Sequence, residues 1–203
     1  MRDPLRPLII GTVAVIVCTL FAPARLAAQS PQPTCVNCPA TYIDEREIQQ
    51  YLDRAQAERI TDQQVRSVDV GKSNVAVGLV HRTRLTTPGE VAEHDFVSEV
   101  YHVISGSATL VTGPDLVEPA ARPATNTNVR LLNGPGFNAK SIRNGVTHQL
   151  KAGDVIVIPA GTGHWFTRID DHITYLMIRV DPDKKTPLKD EAASKADLAT
   201  RKK

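Results

Sequence analysis

Between Thr61 and Asp181 the chain is a series of short apolar runs separated by residues that turn a backbone. Val65, Val68 and Val70 are followed by Val75, Val77, Leu79 and Val80. Further runs lie around Glu99 to Ile104, Ala108 to Val111, Val129 to Leu132, Val155 to Ile158 and Ile173 to Val180. The separators are Thr87-Pro88-Gly89, Ser105-Gly106, Gly113-Pro114, Asn133-Gly134-Pro135-Gly136, Asn144-Gly145 and Ala152-Gly153. Many short strands punctuated in this way predict an all-β fold, a sandwich or a barrel.

The flanking segments follow other patterns. Between Asp44 and Arg59, Ile48, Leu52 and Ala55 recur at spacings of four and three among Glu, Gln and Arg, which predicts an amphipathic helix docked by that stripe. Ser30 to Thr41 is rich in Pro, Asn and Thr and reads as a linker or extended arm. Pro114 to Asn128 holds three prolines and little periodicity, so a surface loop or lid is expected there. After Asp181 come many Lys, Asp and Glu with few apolar residues, which predicts a solvated, charged tail, helical or not. The expected organisation is a signal segment over 1–28, linker and helix over 29–62, a β-barrel over 63–182 and the tail over 183–203.

The amino terminus predicts export. Arg2 and Arg6 precede a mostly apolar run from Leu8 to Ala22, and small residues follow at Ala22-Pro23-Ala24 and Leu26-Ala27-Ala28. This is the pattern of a secretory signal cleaved near Ala28. Its 15 residues fall short of the roughly 20 apolar ones that a membrane-spanning helix needs. No stable membrane span is expected after cleavage, and a periplasmic or secreted protein is. Loss of Arg2, Arg6 and Arg25 takes the basic count from 24 to 21, and loss of Asp3 takes the acidic count from 22 to 21. A neutral mature chain with no basic run beside aromatics carries no nucleic-acid footprint.

Cys18 lies inside the signal run, so two cysteines remain, in Cys35-Val36-Asn37-Cys38-Pro39. An oxidising compartment predicts a local disulfide. A redox dithiol or half of a zinc site is the alternative, but no strand precedes the pair and no second pair exists.

Two segments stand out among those carrying the six histidines. One is Gly89-Glu-Val-Ala-Glu-His94-Asp-Phe-Val-Ser-Glu99-Val-Tyr101-His102-Val-Ile-Ser-Gly106. The other is Gly153-Asp-Val-Ile-Val-Ile-Pro159-Ala-Gly161-Thr-Gly-His164-Trp165-Phe166. Together they resemble the paired motifs of the cupin superfamily, over roughly Val75 to Val180. Gly153, Pro159, Gly161 and His164 match every fixed position of the second motif, and His94, Glu99 and Gly106 match the end of the first. The resemblance implies a jelly-roll β-barrel with a short N-terminal helix, here with the charged C-terminal tail. It also implies one divalent metal inside the barrel and a possible homodimer. Two positions depart from the family: Ala92 stands where a further histidine ligand is usual, and Arg168 where an asparagine is common.

Strand alternation supports the resemblance. Glu99, Tyr101 and Val103 share one face, Val100, His102 and Ile104 the other, and His164, Phe166 and Arg168 share a face of the later strand. If Glu99 and His164 face one interior, a carboxylate and an imidazole are buried together, which is costly without compensation. A divalent ion supplies it, and iron, manganese, zinc, nickel and copper all accept these donors. The expected metal ligands are His94, Glu99 and His164. The bland alternative is a metal-free barrel in which Glu99 pairs with Arg168 or His164. For the missing fourth ligand His81 comes first and His102 second, while His148 and His172 read as surface residues.

Phe96, Tyr101, Trp165 and Phe166 fall within the two motifs and predict an aromatic pocket wall. The leading functional expectation is a metal-dependent enzyme acting on a small oxygenated molecule, as a dioxygenase, isomerase or lyase. Tyr101 would then serve as acid or base and Arg168 as anion anchor. A non-catalytic cupin that binds a small molecule or sugar is the second expectation, and an exported scaffold with a vestigial pocket the third.

Overall fold

The computed structural model describes residues 32–200. The described elements all lie within one compact unit that begins at Pro33. The expected signal segment lies outside the described residues. No helix among those described is long and apolar enough to cross a membrane.

Helix α1 (Glu45–Glu58) starts at Asp44, whose side chain accepts from the Glu47 backbone N–H at 2.7 Å, and ends at Arg59 in the left-handed region. Its inward stripe, Ile48, Tyr51, Leu52 and Ala55, packs with Val65 and Leu79 of the first two strands, as the spacing predicts.

The strands are β1 (Asp62–Asp69), β2 (Asn74–Leu85), β3 (Val91–Ala92), β4 (Ser98–Gly113), β5 (Leu116–Val117), β6 (Ala120–Ala121), β7 (Phe137–Ala139), β8 (Ser141–Ile142), β9 (Val146–Lys151), β10 (Val155–Ile158) and β11 (Gly163–Asp181). All pairings are antiparallel. β11 runs between β2 and β4, β4 also pairs β9 and β10, and the path continues from β11 through β3 and β7 to β6.

β4 and β11 are 16 and 19 residues long and bend rather than break. Gly106, expected to end a strand, instead bends β4 at φ 76°, and a Cβ there would collide with the His172 carbonyl. It faces Ile173, where the β11 register shifts. Beyond the bend each strand changes partners: residues 98–105 and 174–181 lie with β1, β2 and β10, and residues 107–113 and 163–168 with β3 and β9. The two layers enclose one interior, giving the all-β jelly-roll barrel expected, with its N-terminal helix.

Inward side chains fill that interior with Val80, Tyr101, Val103, Leu110, Leu150, Ile158, Phe166, Ile169, Ile173, Tyr175 and Met177. Two expectations change. Val129 to Leu132, predicted as a strand, lies in a single π-helical turn, Val129–Asn133, closed by Gly134 at φ 66°. The carboxy-terminal segment is not wholly solvated: helix α2 (Glu191–Ala199) docks, with Ser194 fully buried and Leu198 against the Tyr51 cluster. Ionic contacts hold it where apolar area is short. Arg54 Nη1 meets Asp197 Oδ1 at 2.9 Å, and Lys189 Nζ meets Asp197 Oδ2 at 2.5 Å.

Candidate metal centre

The burial pattern of β4 alternates from Glu99 onward, so Glu99 (2% exposed) and Tyr101 point inward while His102 is exposed. His94 follows β3 and His164 opens β11, and both are buried. The bend makes this convergence possible. His164 lies in the layer opposite Glu99, at the other end of the strand that also carries Arg179.

One ligand atom from each of His94, Glu99 and His164 lies within 4.8 Å of the others. His94 Nε2 is 3.4 Å from Glu99 Oε1, and His164 Nε2 is 3.6 Å from Glu99 Oε2. With bonds of about 2.1 Å, ligands on a tetrahedral edge stand roughly 3.4 Å apart, so the set is already near coordination spacing. His164 Nδ1 lies 3.2 Å from the Thr162 carbonyl. That contact places the ring proton on Nδ1 and turns the Nε2 lone pair inward.

Glu99 is oriented from several sides. Tyr101 donates its phenol proton to Oε2 at 2.7 Å, and Arg179 Nε donates to Oε1 at 3.3 Å. Arg179 also donates to Gln64 Oε1 at 3.1 Å and to Asp62 Oδ2. Burial opposes the Glu99 charge. The electrostatic interaction and hydrogen bond with His94, then the interactions with His164 and Arg179, outweigh it and hold the carboxyl well below its usual range. Burial pushes the His164 imidazole down to about 4, so it is neutral and ligand-competent at pH 7. Burial first, and the neighbouring Glu99 carboxylate second, push the Tyr101 phenol well above 10.

On its outer side His94 meets Arg122, whose Nη2 lies 2.8 Å from Nδ1 and also donates to the Glu93 carbonyl. A guanidinium has only donors, so Nδ1 accepts and a neutral His94 carries its proton on the inward Nε2. A cation at that nitrogen displaces the proton, as metal binding commonly does. With that exchange the donors fit a divalent ion of the iron-to-zinc class.

Arg168 does not join the site. The register shift between Phe166 and Arg168 breaks the alternation that had turned it inward, leaving its side chain 70% exposed and paired with Asp170 at 2.7 Å. His81, bonded to Thr174 Oγ1 at 2.9 Å, and exposed His102 are not in the cluster, so neither supplies a fourth ligand. Of the aromatic wall, Tyr101 and Phe166 are inside. Trp165 donates to the Gly89 carbonyl at 2.6 Å from a half-buried position, and Phe96 is exposed under Lys185. The residues unforeseen from the sequence are Arg179, Arg122 and Asn133. Alternation with Tyr175 and Met177 marked Arg179 as inward, whereas no pattern marked the other two. Cys35 and Cys38 form the expected disulfide.

No protein-family model matches the chain, and no curated protein matches it. Several solved structures are similar in fold. One from Bacillus halodurans aligns over 79% of this chain and 97% of its own, at 15% identity and a TM-score of 0.42. An RmlC-like cupin family protein with a double-stranded β-helix fold, from Methanocaldococcus jannaschii, covers 61% and 84% at 13% identity and 0.36. The DMSP lyase DddQ from Ruegeria pomeroyi covers 60% and 50% at 15% identity and 0.36. What the centre holds is therefore read from its side chains.

Proposed function

We propose that this chain is an exported cupin whose barrel binds one divalent metal through His94, Glu99 and His164 and acts on a small oxygenated molecule. The observation that carries this reading is the convergence of three buried donor atoms from both layers at coordination spacing. Two imidazoles and one carboxylate leave coordination positions free, and a metal there supplies Lewis-acid or oxygen chemistry of dioxygenase, isomerase or lyase type.

The protein's own groups divide the remaining work. Tyr101 orients Glu99 and keeps its own proton, so it is a positioning residue rather than a base. Arg179, backed by Asp62 and Gln64, balances the carboxylate. Phe166, Tyr175 and Met177 exclude water along the inner wall. A binder without turnover is the second reading, favoured by enclosure: the three ligands are 2–8% exposed.

Metal analysis of the purified protein tests the proposal. Near-stoichiometric metal in the wild type, lost in folded Glu99→Ala and His164→Ala, supports it, and a metal-free wild type rejects it. Oxygen uptake and turnover of carboxylate, phenol and sugar panels by the iron-loaded protein then separate enzyme from binder. Export is supported by the disulfide and by the sequence of residues 1–28. A mature protein isolated from its source with Met1 still in place removes it.

A further inference from the structure

Asn133 is a buried amide whose oxygen has no partner. The last residue of the π-helical turn, it is 6% exposed, and its Oδ1 is buried without a hydrogen-bond partner. Its Nδ2 lies 3.4 Å from Nε2 of His94. Because Arg122 donates to Nδ1, the His94 proton is on Nε2, so the two groups meet donor to donor. Half a turn of the carboxamide exchanges its nearly equal ends. Oδ1 then faces His94 at that distance, which relieves the opposed donors and gives the oxygen a partner, while Nδ2 takes the place the oxygen leaves. The segment is held there: Asp95 N–H donates to the Pro135 carbonyl at 3.0 Å, and Glu93 and Phe137 exchange backbone hydrogen bonds at 3.0 and 3.2 Å. Asn133 thus stands just beyond a ladder that flanks His94.

We propose that Asn133 is the fourth protein ligand of the centre, its amide oxygen taking the role left open at Ala92. The proposal rests on the metal reading above and deepens it. The donor set becomes two nitrogens and two oxygens, with only one ligand charged. Without metal, the same oxygen shares the His94 Nε2 proton with Glu99 Oε1, which lies 3.4 Å from that nitrogen.

The test is a titration of the purified protein with Co²⁺, read by its visible absorption, and with Zn²⁺ against a competing chelator. Wild type, Asn133→Leu and Asn133→Asp are compared, with folding checked by circular dichroism. The leucine variant should bind about tenfold or more weakly and show an altered Co²⁺ spectrum, whereas the aspartate variant, which keeps an oxygen, should bind at least as tightly as wild type. A folded leucine variant with wild-type affinity and spectrum overturns the fourth ligand and leaves the three-residue centre standing. If leucine prevents folding, Asn133→Ala replaces it, with the same outcomes. A wild type that takes up neither ion overturns both.

Discussion

The two ends of the barrel interior are built on the same strands by different physics. Near the bend, β4 and β11 contribute Val103, Leu110, Ile169 and Ile173, which gain from leaving water and ask nothing of their neighbours. At the other end the same strands contribute Glu99, His164 and Arg179, each costly to bury unless another group answers it. Alternation decides which residues face in, and it does so equally well at both ends. At the apolar end a side chain needs only the right volume, whereas at the polar end it needs a named partner. A polar cluster of this kind is not required for a stable barrel, which is why it reads as a site.

The largest expected effect separates the ends most sharply. Arg179→Met leaves Glu99 buried without its guanidinium and should cost about 3–5 kcal/mol in denaturant unfolding. Combining it with Glu99→Met should recover most of that loss, since a buried ion pair replaced by apolar groups is often neutral or better. A double variant as unstable as the single one would mean that the polar end is held by packing. Leu110→Ala at the apolar end should cost about 2–5 kcal/mol with no such rescue, read the same way.

Acid should act on the polar end alone. A His164 imidazole pushed to about 4 from 6.5 takes up its proton more readily in the unfolded chain, so stability falls as pH drops from 6.5 through 4. Glu99 adds in the same direction, because its stabilisation is present above its ordinary range and lost as pH falls through its depressed folded value. Thermal melts of wild type and His164→Leu between pH 7 and 4 check this. A wild-type slope unchanged in the variant would remove His164 as a cause. Smallest of all, Arg168→Ala should shift stability by no more than about 0.5 kcal/mol and leave metal uptake unchanged.

How far the sequence reached follows from these rules. Turn residues announced an all-β sandwich or barrel, and two-residue periodicity announced that Glu99 and Tyr101 share a face, because both depend on local backbone geometry. Arg168 was misread because a register shift after Phe166 is invisible in a list of residues. Val129 to Leu132 is apolar enough for a strand, yet its buried Val129 sits in a turn beside the polar end. Gly106 marked a change of direction but not its extent, so β4, one long bent strand, looked like two short ones. Arg122 and Asn133 lie in loops without periodicity, and only the pairing of β3 with β7 brings their segments to His94.

Gln64 ties the last residues of the chain to this interior. Its side-chain oxygen accepts from Arg179, and its backbone oxygen accepts from Lys189, which also grips Asp197 of α2. A fusion tag, a protease nick or a truncation that pries α2 loose is thus felt one residue away from the counter-ion of Glu99. The final turn of helix, distant along the chain, is mechanically a neighbour of the buried polar cluster.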